Sequence, residues 1–98
     1  MKISTINIIG RGNVAFHYHK IMKEKGYEVR IIPSRKEFVL DDVESDVVII
    51  AVKDDAIREV LNRLPRVKTL LLHTSGFTPS EILLQKADNY GDSLYKHY

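Results

Sequence analysis

The most constraining feature of this chain is a glycine-rich turn at residues 10–15, which reads Gly-Arg-Gly-Asn-Val-Ala. It directly follows an apolar run at residues 6–9 and directly precedes a helical pattern. In such a setting Gly10 permits a tight turn out of a strand, and Gly12 lets the backbone approach a pyrophosphate. Ala15 lets the helix lie close to the sheet. The pattern therefore predicts a dinucleotide-binding turn.

The helix after this turn supplies favourable electrostatics for phosphate. It starts near Asn13, so the positive end of its dipole faces the ligand. Short glycine motifs also arise by chance in turns, and the prediction therefore depends on the strand and the helix on either side. The residues predicted to contact the dinucleotide here are Gly10, Arg11, Gly12, Asn13, Val14 and Ala15.

The composition limits the class of protein. A chain of 98 residues has room for one domain, and its 44% hydrophobic and 29% charged residues are typical of a soluble globular protein. No apolar run is long enough to cross a membrane and no secretory signal follows Met1, so we expect a cytoplasmic protein. The net charge of +2 comes from interleaved charges, which does not favour nucleic acid.

No metal site is predicted. The chain has no cysteine, which excludes disulfides and cysteine-ligated zinc. His17 and His19 are two positions apart on a helix and point in different directions, so they cannot share a metal.

Strand and helix patterns alternate along the chain. Apolar runs predict strands at residues 3–9, 28–32, 47–52 and 69–72. Apolar stripes predict helices at residues 13–25 and 57–64, followed by a short helix that opens with a capping box at residues 78–81. Asp54 or Asp55 is expected to cap the second helix, although the two carboxylates could be mistaken for a catalytic acid pair.

This alternation predicts an α/β fold with a doubly wound, mostly parallel sheet. The sheet is expected to be abbreviated between strands 2 and 4, because residues 34–46 are too few for both a helix and a strand and hold at most a short strand at 38–40. Residues 1–98 are expected to form a single domain. Its end, residues 89–98, is either an edge strand or a tail, and its Tyr and His side chains suit a docking role or a frayed terminus.

The end of the second strand indicates which nucleotide is bound. An NAD site usually has an acidic residue there, about 20 residues beyond the glycines, to bind the ribose. This chain has Ser34, Arg35 and Lys36 instead, and their hydroxyl and cationic groups suit the 2′-phosphate of NADP. The alternative is a solvated pair of cations.

The ends of the two later strands should face the same crevice. At the end of the third strand lie Ala51 and Val52, followed by Lys53, which could contact a phosphate or an acidic substrate. After the fourth come Thr74 and Ser75, which could orient the nicotinamide. His73 and Ser75 are the candidates for catalysis, with His73 as a proton donor; the alternative is a polar turn that ends the strand.

In order along the chain, the stretches at residues 8–15, 34–35, 46–57 and 73–76 resemble a known family. It is the N-terminal domain of Rossmann-like oxidoreductases that carry a C-terminal domain of unknown function, related to deazaflavin-dependent NADP reductases and pyrroline-carboxylate reductases. The resemblance covers roughly residues 2–86. It implies a Rossmann-like fold, NADP, and hydride transfer to a small substrate.

The same resemblance implies that the chain is incomplete as an enzyme. Members of the family continue into a helical domain that forms the dimer and closes over the nicotinamide, whereas this chain ends at Tyr98. The catalytic surface is thus expected from another copy, as in a homodimer, or from a separate partner chain. The alternatives are a non-catalytic nucleotide-binding or redox-sensing module and, third, a structural domain that binds no nucleotide.

Overall fold

The computed structural model describes residues 3–34, 38, 43–75, 80–87 and 89–92. They contain five strands: β1 (Thr5–Ile9), β2 (Glu28–Ile32), β3 (Val47–Ile50), β4 (Leu70–His73) and β5 (Asn89–Asp92). The α-helices are α1 (Asn13–Glu24) and α2 (Ile57–Arg63), and 3₁₀ segments span Asp54–Ala56 and Ser80–Gln85. The α/β class predicted from the sequence is confirmed.

The five strands form one sheet in the order β2-β1-β3-β4-β5. Every pair of neighbouring strands is parallel. From β1 the chain continues through α1 to β2 on one side, whereas from β3 it continues through α2 to β4 on the other side. The connections therefore diverge between β1 and β3, which leaves a crevice at the carboxyl ends of these two central strands.

Side chains of the central strands alternate between two cores on opposite faces of the sheet. On one face the core contains Ile6, Ile8, Val47 and Ile49 of the sheet with Ala15 of α1. On the other face it contains Ile9, Val48, Ile50 and Leu71 of the sheet with Ile57, Val60 and Leu61 of α2. Helices thus cover both faces of the sheet. Within the described part of the chain, no helix is long and apolar enough to span a membrane.

Several predicted boundaries are corrected by the structure. The third strand ends at Ile50 and not at residue 52, and the fourth is shifted by one residue to Leu70–His73. The predicted cap of the second helix is wrong: a 3₁₀ turn takes up Asp54 and Asp55, and neither Lys53 nor Ala56, the two N-cap positions, makes a side-chain cap hydrogen bond. The short helix predicted near residue 80 is a 3₁₀ helix.

The segment between β2 and β3 crosses the face of the sheet that α2 also covers. Asn7 is buried in the middle of β1, and its Nδ2 donates to the carbonyl of Val43 at 2.6 Å. Phe38 is buried in the same core, with the guanidinium of Arg63 at 5.7 Å from its ring centroid.

The short strand predicted at residues 38–40 can be checked only at Phe38, which is not in a strand, because residues 39–40 lie outside the described residues. Residues 78–79 of the predicted capping box also lie outside the described residues.

The C-terminal strand fits one of the two alternatives for residues 89–98. Residues 89–92 pair with β4 as a parallel edge strand, and residues 93–98 lie outside the described part.

One carboxylate connects the first and third strands at the edge of the sheet opposite the crevice. Asp46 Oδ2 accepts hydrogen bonds from the backbone N–H of Ser4 at 2.8 Å and of Thr5 at 3.0 Å. The Thr5 hydroxyl in turn accepts from the Asp46 N–H at 3.0 Å. The backbone hydrogen bond from Ser4 has the largest effect, followed by the one from Thr5. Both lower the pKa of Asp46 because they stabilise its ionised form.

Candidate functional site

The carboxyl ends of four strands are held side by side by backbone hydrogen bonds. The N–H of Gly10 donates to the carbonyl of Ile32 at 2.9 Å, and the N–H of Ala51 donates to the carbonyl of Ile9 at 2.8 Å. The N–H of Thr74 donates to the last carbonyl of β3 at 3.2 Å. The loops that follow β1, β2, β3 and β4 therefore begin at one edge of the sheet, as the sequence predicted.

A cavity of about 910 Å³ lies where these loops meet. This volume is within the range of small-molecule and cofactor sites. The cavity is lined by Arg11, Gly12, Asn13, Val14, Pro33, Ser34, Ala51, Val52, Lys53, Asp54, Ala56 and Thr74. Its wall thus combines the glycine-rich turn with the ends of β2, β3 and β4.

Gly10 shapes this wall without lining the cavity. Its φ is +139°, a backbone conformation that only glycine adopts readily. A Cβ at this position would lie 2.2 Å from the carbonyl oxygen of Ala51, well inside van der Waals contact. The missing side chain therefore lets the turn after β1 pack directly against the end of β3.

Gly12 differs from Gly10 because the fold does not require a glycine there. Its φ of −83° is accessible to any residue, and an added Cβ would meet no atom within 4 Å. Gly12 is nevertheless exposed on the cavity wall at the N-cap of α1. The absence of a side chain leaves room for a ligand to reach the backbone at this position.

Among the described residues, no side chain caps the first turn of α1. The first intrahelical bond runs from the N–H of Phe16 to the carbonyl of Gly12 at 3.1 Å, so the preceding amides, those of Asn13, Val14 and Ala15, have no partner within the helix. The N-cap makes no side-chain hydrogen bond, and the first turn contains no acidic residue. These amides and the helix dipole are arranged to bind an anion.

Among the described residues, the ionisable groups on the cavity wall are two cations and one carboxylate. Arg11 comes from the glycine-rich turn and Lys53 from the end of β3, and both are exposed. Asp54 follows Lys53 on the same wall. The local charge therefore favours an anionic ligand. Within the described ranges, no cluster of three His, Cys or acidic side chains is placed to hold a metal.

The two candidates for catalysis are buried. His73 is 0% exposed and Ser75 is 4% exposed, and neither lines the cavity. The backbone N–H of Ser75 donates to Nδ1 of His73 at 3.1 Å, so Nδ1 serves as an acceptor within the turn. This hydrogen bond stabilises the turn after β4, and it is Thr74, between the two, that reaches the cavity wall.

The structure brings together most, but not all, of the predicted cofactor residues. Ala15 is fully buried against the sheet, like Gly10, and supports the site from beneath. Arg35 and Lys36 lie outside the described residues, so the predicted 2′-phosphate contacts can be placed only as far as Ser34.

Three described lining residues were not among the predicted cofactor contacts: Pro33, Asp54 and Ala56. Pro33 follows β2 directly, so its position at a strand end was a usable signal. Asp54 and Ala56 lie in the 3₁₀ turn before α2, and no periodic pattern in the sequence marks that turn.

Comparisons with models of protein families, with curated proteins and with solved structures found no match to this chain. The family resemblance therefore stays a prediction. The case for function rests on the geometry of the cavity and on the chemistry of its wall.

Proposed function

We propose that this chain is the NADP(H)-binding domain of an oxidoreductase, with the dinucleotide in the cavity at the strand ends. One observation carries the proposal: the uncapped first turn of α1 and the side-chain-free Gly12 form one wall of a cavity of about 910 Å³. A diphosphate satisfies both features, because its charge matches the helix dipole and its oxygens accept from the free amides.

The proposal includes a finer description of the fold as a doubly wound, Rossmann-like sheet, abbreviated after its second strand. Its support is the strand order β2-β1-β3-β4-β5 and the helices on both faces. In such sheets ligands bind at the carboxyl ends of the strands, where the direction of winding changes. The cavity lies at that place.

Four parts of the cofactor can be assigned to groups of this chain. The amides of the first turn of α1 and the guanidinium of Arg11 would hold the diphosphate. Ser34 would face the adenosine ribose, with Arg35 and Lys36 of the sequence supplying charge for the 2′-phosphate. The opposite end of the wall, near Lys53, would then take the nicotinamide and a small substrate.

NADPH, when bound, would supply the hydride, so the chain's own residues would only bind and orient. Thr74 lines the cavity, and its hydroxyl would hydrogen-bond a nicotinamide carboxamide or a substrate oxygen. Lys53 would attract an acidic group on the substrate.

The burial of His73 and Ser75 favours a second candidate function. With both side chains away from the cavity, the described residues of the wall include no histidine as a proton donor. A non-catalytic nucleotide-binding or redox-sensing module would need only the binding wall. Turnover separates the two: loss of NADPH absorbance with a panel of imines, ketones and deazaflavin supports the enzyme, and binding without turnover supports the module.

Calorimetric titration with NADPH and NADH tests the binding proposal. Arg11→Ala should weaken NADPH binding by about 10- to 150-fold, the value of one charge-assisted hydrogen bond. Arg58→Ala is the matched control, because Arg58 is an exposed cation on α2 that does not line the cavity. Equal losses in the two variants, or no heat of binding for the unaltered chain, would refute the proposal.

A further inference from the structure

Strand β2 lies at one edge of the sheet, since β1 is the described strand that pairs with it. The edge of a strand presents a row of backbone N–H and C=O groups that can pair with another chain. Proteins usually blunt such an edge by shortening, covering or charging it. The five residues of β2 carry two charged side chains, Glu28 and Arg30, and both are exposed.

The hydrogen bonds of β2 show which of its residues face outward. The N–H of Glu28 donates to the carbonyl of Ser4 at 2.9 Å, and the carbonyl of Ile32 accepts from the turn after β1 at 2.9 Å. These even-numbered residues therefore direct their backbone groups towards β1. Because alternate residues of a strand bond to opposite sides, the N–H and C=O groups of Val29 and Ile31 point away from the sheet.

The side chains on β2 form a self-complementary pattern about Val29. In an antiparallel pair of two copies centred there, Glu28 lies opposite Arg30 of the partner subunit, and Arg30 lies opposite Glu28 of the partner subunit. Opposite charges facing each other across a strand pair are stabilising. The pattern therefore fits a second copy of this chain in one register.

The nearby symmetric registers are disfavoured. A pair centred on Glu28 or on Arg30 places like charges directly opposite each other, which is destabilising. A pair centred on Ile31 places Val29 opposite Pro33, which has no N–H to donate. Charge pairing and backbone hydrogen bonding are independent criteria, and both favour the register centred on Val29.

We propose that two copies of this chain associate edge to edge through β2, antiparallel and centred on Val29, so that their sheets become continuous. In this arrangement the two copies of Val29 exchange backbone hydrogen bonds, and the N–H of Ile31 donates to the carbonyl of Tyr27 of the partner subunit. Such a short interface belongs with the small, weak and transient ones. The dinucleotide cavity is at the strand ends and the proposed interface is along the outer edge, so either assignment can fail without the other.

Disulfide cross-linking tests this register, because the chain has no cysteine of its own. In a hydrogen-bonded antiparallel pair the two Cα atoms are about 5.5 Å apart, a separation that a disulfide can bridge. Val29→Cys should therefore give a covalent dimer under mild oxidation much faster than Glu59→Cys, which places the thiol on an exposed position of α2. Equal rates for the two variants would overturn the proposal.

Charge reversal in the Val29→Cys chain tests the complementary pairs. Adding Glu28→Arg removes two favourable cross-strand pairs and should slow cross-linking by about 2- to 30-fold. Adding Arg30→Glu as well should restore the rate. Because Arg30 Nε also donates to Asn7 Oδ1 at 3.3 Å, circular dichroism must show that the doubly reversed chain folds. If the doubly reversed chain does not fold, the Glu28→Arg change at the exposed position is the test by itself. A cross-linking rate equal to that of Val29→Cys alone would then overturn the proposal.

Discussion

Replacing Gly10 by alanine should destabilise the fold strongly, because two separate requirements for glycine meet there. The φ of +139° disfavours any residue with a Cβ, and that Cβ would lie 2.2 Å from the carbonyl oxygen of Ala51. The carbonyl belongs to the backbone at the end of β3, where the Ala51 N–H bonds to Ile9 at 2.8 Å. Relief of the clash therefore requires the turn and the strand end to separate.

The expected size of the effect follows from these two causes. A strained backbone conformation costs about 1–3 kcal/mol, and forcing extra volume into a packed site costs about 1–3 kcal/mol more. Gly10→Ala should thus lower the free energy of unfolding by about 2–6 kcal/mol. Domains of this size have about 5–15 kcal/mol in total, and each kcal/mol shifts Tm by about 4–8 °C.

Gly12→Ala is the matched control, two positions along the same turn. An added Cβ there meets no atom within 4 Å at a φ of −83°. Alanine is a poorer N-cap than glycine, but it also reduces the entropy of the unfolded chain, and the two effects offset each other to within about 1 kcal/mol. This variant should therefore remain stable. Because Gly12 lines the cavity, the variant should nevertheless bind NADPH less tightly than the unaltered chain does.

Urea unfolding followed by far-UV circular dichroism measures both variants under the same conditions. The reasoning is refuted if Gly10→Ala lies within about 1 kcal/mol of the unaltered chain. It is also refuted if Gly12→Ala is the more destabilised of the two, since the turn would then not be packed against Ala51 as described.

Three further predictions concern the nucleotide, pH and the buried polar contact. Arg35→Ala should weaken NADPH binding by about 10- to 150-fold and NADH binding much less, measured by calorimetry; equal losses would remove the NADP preference. The pKa of Asp46 is lowered in the fold, so its carboxylate stabilises the protein above its ordinary pKa, and this contribution is lost as the pH falls through the lowered value. Asp46→Asn should therefore reduce the free energy of unfolding at neutral pH, measured by urea unfolding, and make it depend less on pH on the acid side. A pH dependence parallel to that of the unaltered chain would contradict this. Asn7→Ala leaves the carbonyl of Val43 without its 2.6 Å partner and should cost about 1–3 kcal/mol in the same assay, whereas no loss would mean that water replaces the amide.

The parallel sheet and the crevice could be predicted because strong local patterns specify them. The apolar run at residues 6–9, the two glycines and the apolar stripe of α1 agree with one another, and β2 was predicted at its observed bounds. Parallel strands bury both faces, so their runs are continuous and easy to recognise. Convergence of the loops then follows from topology alone.

The 3₁₀ turn before α2 could not be predicted, because such a turn and an uncapped helix give no distinctive pattern. The apolar stripe predicted the start of α2 at Ile57, but Asp54 and Asp55, which have the right residue type for a cap, lie within the turn and do not cap the helix. The burial of His73 was equally hidden, since its side chain lies on the same face of β4 as Leu71 and depends on which elements cover that face. Periodicity in a four-residue strand cannot tell which face holds the polar residue.

Titration of a ¹⁵N-labelled chain with NADPH, followed by amide chemical shifts, tests whether the amides at the start of α1 bind the diphosphate. We expect saturable shifts that are largest at residues 12–15, with smaller ones at Ser34, Lys53 and Thr74, and little change along the Asp46 edge of the sheet. Absence of shifts at residues 12–15 under saturating NADPH, or larger shifts at the opposite edge, would contradict this binding mode.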